Sequence, residues 1–222
     1  IEVYIPSEDK YLTFEVERKK IEIPMVTSKM LESNIGYVSV YEFEETTADQ
    51  FNQAIDELTA QGMKGLIIDL RDNPGGLVNS ATAILDRILP KDKLLVYTVD
   101  KNDKKQEEYS EDDATIDVPI SVLINGNSAS ASEIVSGCLQ DYGKAKLVGT
   151  TSFGKGIVQY VLPLGDGSAI KLTSAKYYTP NGRNIHGTGI DPDVEVELNS
   201  DSETDTQLEK AQEIVLQEIQ AE

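Results

Sequence analysis

Short runs at the start of the chain alternate apolar and polar residues. Val3 and Ile5, then Leu12, Phe14 and Val16, then Ile21 and Ile23 carry the apolar positions. This is the period of a strand with one covered face, and Pro6-Ser7-Glu8-Asp9 reads as a hairpin turn between the first two runs. Residues 37–40 form another strand. The period then changes. Phe51, Ile55 and Leu58 share one face of a helix, Thr47 and Gln50 have capping-box spacing at its start, and Gly62 ends it. Residues 65–70 are nearly continuously apolar, as expected for a strand covered on both faces.

Arg71-Asp72-Asn73-Pro74-Gly75-Gly76 follows as a loop, and its glycines bring bare backbone close to whatever lies beside it. Residues 77–89 read as a helix with Ala81, Ile84, Leu85 and Ile88 inward, stopped by Pro90. Residues 94–99 are a strand, and 100–117 are a charged, turn-rich surface excursion. A strand at 120–124 runs into a Ser-rich turn and a helix ending near Asp141. Two more strands follow at 145–149 and 157–164, and Gly165-Asp166-Gly167 turns the second into a hairpin with residues 169–175. Residues 179–193 are loop and 199–205 a polar linker. Leu208, Ala211, Ile214, Val215 and Ile219 make a last amphipathic helix. Strands alternating with helices predict an α/β domain with flanking antiparallel hairpins, divided as a hairpin at 1–20, a core at 21–198, and a linker and helix at 199–222.

Composition narrows the partners. The 222 residues are 39% hydrophobic, enough to bury a core, and the net charge of −19 argues against nucleic acid or an anionic membrane surface. The single cysteine, Cys138, lies on the apolar face of a helix and reads as packing. There is no CxxC, histidine cluster or HExxH to suggest a metal, and no apolar run reaches membrane-spanning length. The chain begins in mid-strand without methionine, as a piece of a longer protein would.

The first candidate for chemistry is Asn125-Gly126-Asn127-Ser128-Ala129-Ser130-Ala131-Ser132-Glu133-Ile134. A strand enters a tight turn there, and small side chains open a helix whose free amides attract negative charge. A serine at such a place is either a cap or a nucleophile with an oxyanion site at hand. A Ser-His-Asp triad is disfavoured, because the only histidine is His186, in a Gly-rich loop, and there is no GxSxG turn. A phosphate-binding loop at 149–156 is disfavoured too. Gly156 stands where a Ser or Thr hydroxyl would be needed, and strand patterning follows in place of a helix. A third reading pairs Ser130 with Lys155 of Phe153-Gly154-Lys155-Gly156. A neutral lysine can take a serine proton; an exposed lysine, with a reference pKa of ~10.4, is protonated at neutral pH, and burial favours the neutral form.

Six stretches in order along the chain carry a resemblance. They are Ile21-Glu22-Ile23-Pro24, the loop Asp69-Leu70-Arg71-Asp72-Asn73-Pro74-Gly75-Gly76, residues 125–134, Phe153-Gly154-Lys155-Gly156 with Gln159, Ser174-Ala175-Lys176-Tyr177-Tyr178-Thr179-Pro180, and Gly182-Arg183-Asn184-Ile185-His186-Gly187. Together they resemble the carboxyl-terminal processing peptidases, the tail-specific serine proteases of family S41. The resemblance implies a crotonase/Clp-protease-like core of ββα units. It implies a Ser130–Lys155 dyad, with Gln159 orienting the amine, and acyl-enzyme cleavage near protein C-termini without metal or cofactor. It places an oxyanion hole at the amide of Ala131 and a glycine amide of the NPGG loop, Gly76 ahead of Gly75. Glu133 matches an acidic family position, which complementarity to a helix start explains equally well.

The same resemblance implies protein or peptide substrates with accessible C-termini and a location outside the cytoplasm: periplasmic, at the bacterial cell surface, secreted, or in the thylakoid lumen. It leaves room for a homo-oligomer. The chain departs from the family in its PDZ domain, of which only a remnant strand at residues 1–5 would remain. A noncatalytic protein-binding or scaffold module on the same fold is the alternative, and the retention of Ser130, Lys155 and Gln159 speaks against it.

Overall fold

The computed structural model describes residues 1–19, 23–113, 115–198 and 204–221. Ile21, Glu22 and residues 199–203 of the expected linker lie outside the described residues. Twelve strands and four α-helices are present among those described. β1 (Glu2–Ile5) and β2 (Lys10–Thr13) pair antiparallel across the anticipated turn. β3 (Val26–Met30), β4 (Ile35–Val40), β5 (Gly65–Asp69), β8 (Ile120–Ile124), β9 (Ala145–Gly149) and β12 (Val194–Glu195) form a six-stranded sheet in the order β12-β9-β8-β5-β4-β3, parallel except for β3. β6 (Leu94–Asp100), β7 (Lys105–Tyr109), β10 (Ile157–Pro163) and β11 (Ala169–Tyr178) form an antiparallel sheet in the order β10-β11-β6-β7.

The apolar runs of the central strands serve both faces of the large sheet. Leu66 and Ile68 of β5, with Val122 and Ile124 of β8, enter one core with Phe51, Ile55 and Leu58 of α1 (Thr47–Ala60), Ile84 and Leu85 of α2 (Val78–Ile88), and Val135 and Leu139 of α3 (Ala131–Asp141). Ile67 and Leu123, one residue out of phase, enter a second core with Ala211 and Val215 of α4 (Thr206–Ala221). Alternate side chains of a strand point to opposite faces, so helices on both sides require apolar residues at every position. Cys138 lies in the first core with its thiol pushed up by burial, which fits packing. Among the described residues no helix is long and apolar enough to cross a membrane.

Several local expectations change. Thr47 and Gln50 do not form a capping box. The Thr47 hydroxyl donates to the Glu42 carbonyl and accepts from the Glu44 N–H, while Gln50 Oε1 accepts from the Met25 and Val26 N–H groups and so holds β3. β3 itself had no sequence signal, because only Val26 of its five residues is buried. The charged excursion at 100–117 contains β7, whose five residues are all exposed. The loop at 179–193 runs directly into the two-residue β12.

α4 is pinned to the end of β5 by charge. Arg71 reaches Asp69 at 2.6 Å and Asp205 at 2.8 Å, and it also donates to Gln207 Oε1. The Tyr37 hydroxyl donates to Asp69 at 2.7 Å. Asp205 also accepts the Leu208 N–H and so caps α4. Burial pushes the Asp205 carboxyl up, but its hydrogen bonds with Arg71 outweigh this and hold it below the usual carboxylate range. A carboxylate lowered in the folded state stabilises fully above its unfolded value, about 3.9, and loses that contribution as pH falls through the lower folded value. Asp205→Asn is therefore expected to unfold at lower denaturant concentration than the parent at pH 7, with the gap narrowing below about pH 4. Urea titrations of both proteins from pH 7 to pH 3 check this.

Candidate active site

Three segments leave the same edge of the large sheet: the loop after β5, the turn after β8 and the loop after β9. Neighbouring parallel strands deliver the first two side by side. The Ser-rich turn is tied to the NPGG loop by its outer serines. Ser128 donates its hydroxyl to the Leu70 carbonyl at 2.7 Å, and Ser132 donates to the Asn73 carbonyl at 2.9 Å. The Ala129 N–H adds a bond to the same Asn73 carbonyl. Asn73 is fully buried, donates to the Val40 carbonyl and accepts the Gly75 N–H. At the surface Asp72 accepts from the side chains of Asn125 and Asn127 and holds the two loops edge to edge; these bonds lower its carboxyl. Two of the three serines are thus committed to structure, and Ser130 is not.

Ser130 has φ 57° and ψ −112°, outside the regions open to most non-glycine residues, as the N-cap of α3. Such a conformation costs on the order of 1–3 kcal/mol and persists only where the surroundings impose it. Glu133 is a large part of those surroundings. Its side chain is completely buried, yet no lysine or arginine lies within ion-pair distance of it among the described residues. It accepts four hydrogens instead: from the N–H groups of Ser130, Gly154 and Lys155 at 2.8, 2.7 and 2.8 Å, and from the Ser152 hydroxyl at 2.5 Å. The positive end of α3 also favours a carboxylate in its first turn. One side chain therefore fixes the main chain of Ser130 to that of Lys155.

Glycines next to Lys155 allow a second close contact. A Cβ on Gly154 would lie 2.8 Å from the Gly189 nitrogen, and one on Gly156 would lie 2.7 Å from the His186 nitrogen. The loop after β9 is thus pressed against the main chain of residues 186–189. His186 contributes backbone here, and its side chain is exposed. Lys155 is half-buried, and its amine has no hydrogen bond or ion pair among the described residues. β10 follows this loop directly, so no helix N-terminus is available for phosphate. Gln159 lies at an irregularity in β10, where its amide donates to Thr173 Oγ1 at 3.3 Å and makes no hydrogen bond to Lys155.

The two glycines of the NPGG loop differ. The Gly75 N–H is occupied by Asn73, and a Cβ at Gly75 would meet the Ser130 Cβ at 2.8 Å and the Ala131 nitrogen at 2.9 Å. Gly76 is exposed, with φ +136°, and a Cβ there would meet the Phe43 carbonyl at 2.2 Å. Its N–H, like that of Ala131 at the first position of α3, has no acceptor among the described residues.

The sequence profile described as Peptidase family S41 matches residues 34–196. The chain belongs to this family. It is 43% identical over 194 residues to a carboxy-terminal-processing protease of Bartonella bacilliformis, covering 85% of this chain and 44% of that protein. It is 39% identical over 194 residues to the carboxy-terminal processing protease CtpB of Bacillus subtilis, covering 86% of this chain and 40% of that one. The chain thus spans less than half the length of these S41 relatives. Among solved structures, the photosystem II D1 C-terminal processing protease superposes with a TM-score of 0.72 at 31% identity, over 96% of this chain and 59% of its own. An S41 protease structure from Bacteroides fragilis, at 18% identity and a TM-score of 0.76, shares the fold over 98% of this chain and 65% of its own. The Clp-protease-like α/β core expected from the motifs is the S41 fold seen here.

Glu133 is legible in the sequence as an acidic position, but its role is not, because its partners at 152–155 lie about twenty residues away in the chain. Asp69 and Arg71 belong to the glycine-loop motif, yet nothing local signals their link to α4. Glu133→Gln keeps the size of the side chain but leaves one acceptor oxygen where two stood. Two stranded donors at about 1–3 kcal/mol each predict a loss of ~2–6 kcal/mol in unfolding free energy. Denaturant unfolding measures the loss, and amide hydrogen exchange at Gly154 and Lys155 is expected to accelerate with it.

Proposed function

We propose that this chain is the catalytic core of a serine endopeptidase that cuts protein substrates near their C-termini, with Ser130 as nucleophile and Lys155 as general base. The observation that carries the reading is the Glu133 carboxylate, which holds the main chains of both residues through buried hydrogen bonds. Two further features support it: Ser130 is the serine of its run left out of the loop scaffold, and the amine of Lys155 is unengaged among the described residues.

In this mechanism neutral Lys155 takes the Ser130 hydroxyl proton as Oγ attacks the scissile carbonyl carbon. The carbonyl electron pair moves to oxygen, which the N–H groups of Gly76 and Ala131 receive. Neither amide has an acceptor among the described residues, whereas the Gly75 N–H is already used, which favours Gly76. When the intermediate collapses, the C–N bond breaks and Lys155 returns the proton to the leaving amine. Water then attacks the acyl-serine ester by the same route and releases the second product. Gln159 is assigned to orient the amine from its position four residues beyond Lys155; its present partner is Thr173. C-terminal processing is the activity that the relatives' names carry, and by this reading the chain performs it outside the cytoplasm.

A protease assay on an unstructured protein with an apolar C-terminus tests the proposal. Ser130→Ala is expected to lose turnover on the order of a million-fold while remaining folded, and Ser128→Ala and Ser132→Ala are expected to retain measurable cleavage. Lys155→Arg is expected to be inactive, since a guanidinium does not release a proton near neutrality. The rate is expected to rise with pH along a single-proton limb that His186→Gln leaves in place. Full cleavage by Ser130→Ala or Lys155→Arg would remove the dyad, and a parent protein that does not cleave would leave the binding-module reading.

A further inference from the structure

The free edge of β10 opens beside the proposed base, and no step of the mechanism uses it. β10 ends the antiparallel sheet, and among the described residues only β11 pairs with it. The strand starts at Ile157, just past Lys155 and Gly156. One of its faces looks onto a cavity of about 350 Å³, lined by Val158 and Tyr160 of β10, Val96 and Thr98 of β6, and Val78 at the start of α2. Val78 follows closely on Gly76 in the chain. The cavity therefore lies between the strand that follows the proposed base and the helix that follows the proposed oxyanion glycine.

Hydrogen bonds to β11 fix which main-chain groups of β10 point outward. The Tyr177 N–H donates to the Gly156 carbonyl at 3.2 Å, and the Ser174 hydroxyl donates to the Val158 carbonyl at 3.3 Å. At the far end the Leu164 N–H donates to the Ser168 carbonyl at 2.7 Å. Gly156, Val158 and Leu164 thus turn their main chain toward β11, and successive residues of a paired strand turn theirs to opposite sides. The irregularity at Val158 and Gln159 adds its extra residue to β11, so the phase of β10 is unbroken. The N–H and C=O groups of Ile157, Gln159 and Val161 therefore point away from the sheet. Pro163 has the same phase, and a proline, with no N–H to give, fits a strand on such an outward side. No charged residue occurs from 157 to 164, in a chain where 27% of residues are charged, and Tyr160, Val161 and Leu162 are exposed. Open sheet edges are normally blunted by charge. This one carries only Pro163, at the end away from Lys155.

We propose that the edge of β10 is the track for the substrate: an extended, apolar stretch of the substrate chain adds to the sheet as a further strand, bonded to the outward groups of Ile157, Gln159 and Val161. This deepens the Ser130–Lys155 reading and rests on it, because β10 leads away from that base. Strand addition draws affinity from main-chain bonds and selectivity from pockets for alternate side chains. Alternate side chains of the added strand share the face of Val158 and Tyr160 and so reach the cavity. Val78, Val96 and Val158 give that cavity apolar walls suited to an apolar side chain. Its polar lining, Asp100, Lys104, Gln106 and Glu108, comes from β6, β7 and the turn between them, toward the opposite edge of the sheet.

Binding is measured on Ser130→Ala, so that it does not depend on turnover. The probe is a fluorescent peptide with an apolar C-terminus, its backbone amides N-methylated one at a time. An added strand turns alternate N–H groups toward β10. Methylation is therefore expected to weaken binding about tenfold at alternate positions of one run and less than about twofold between them. Equal loss at every position, or none at any, overturns the inference. Val161→Pro removes one outward N–H and leaves the ladder to β11 whole. It is expected to raise KM on the order of tenfold and keep kcat within about threefold, and an unchanged KM overturns the inference. If Val161→Pro folds poorly, the methylation scan still decides. A second copy of the chain is the rival occupant: a parent dimer that Val161→Pro converts to monomer in sedimentation overturns the inference as well. Cleavage assays of Ser130→Ala and Lys155→Arg separate the two proposals. If either still cleaves while the scan alternates, the dyad fails and the track stands; if both are inactive and the scan is flat, only the track fails.

Discussion

A buried carboxylate without a cationic partner is costly unless hydrogen bonds replace the water it has lost. Glu133 meets that condition by drawing four donors onto two oxygens, three of them main-chain N–H groups from segments on either side of α3 and β9. The Ser-rich turn can hold Ser130 at a positive φ, and the loop after β9 can come alongside it, because the negative charge between them makes both arrangements favourable. A neutral side chain of similar shape could not accept four hydrogens. The constraint is local in space and distant in sequence, as is usual where a site is assembled from loops at the end of a sheet.

The rest of the molecule brings those loops to one place. Parallel strands in the order β9-β8-β5-β4 place three strand ends in a row. Helices on both faces bury every residue of β5 and β8, so neither strand can slip without exposing apolar side chains. The Asp69–Arg71–Asp205 pairing then ties the far-side helix to the root of the NPGG loop. The antiparallel sheet serves the site from another side. Its strands β10 and β11 carry Gln159 and Tyr177 up to the loop bearing Lys155, and the hairpin tip between them is exposed on both faces.

The proposed base is a lysine and not a histidine. The only histidine of the chain is exposed, and its loop contributes main chain to the packing around Gly156. Lys155 sits half-covered, with its neighbouring glycines packed against backbone and no carboxylate paired with its amine among the described residues. The Glu133 carboxylate beside its peptide is already taken up by main-chain donors.

Much of this was legible in the chain itself. The double-faced strands at 65–70 and 120–124, the helices with Phe51, Ile55 and Leu58 or with Ala81, Ile84, Leu85 and Ile88 inward, and the hairpin turn at Gly165-Asp166-Gly167 follow from periodicity and turn chemistry, which are local. So do Ser130, Lys155 and the glycine loop as candidates, because their residue types and order carry the S41 resemblance. β3 and β7 were not legible, since strands with exposed faces lack an apolar period and exist because a neighbour pairs with them. The roles of Gln50, Arg71 and Glu133 were not legible either. Each acts on groups roughly twenty to well over a hundred positions away, and hydrogen-bond direction between such groups is decided only once the sheet has brought them within about 3 Å. Sequence named the candidate residues; tertiary structure decided which serine hydroxyls tie the loops together, which glycine amide is unoccupied, and that one buried carboxylate joins the main chains of Ser130 and Lys155.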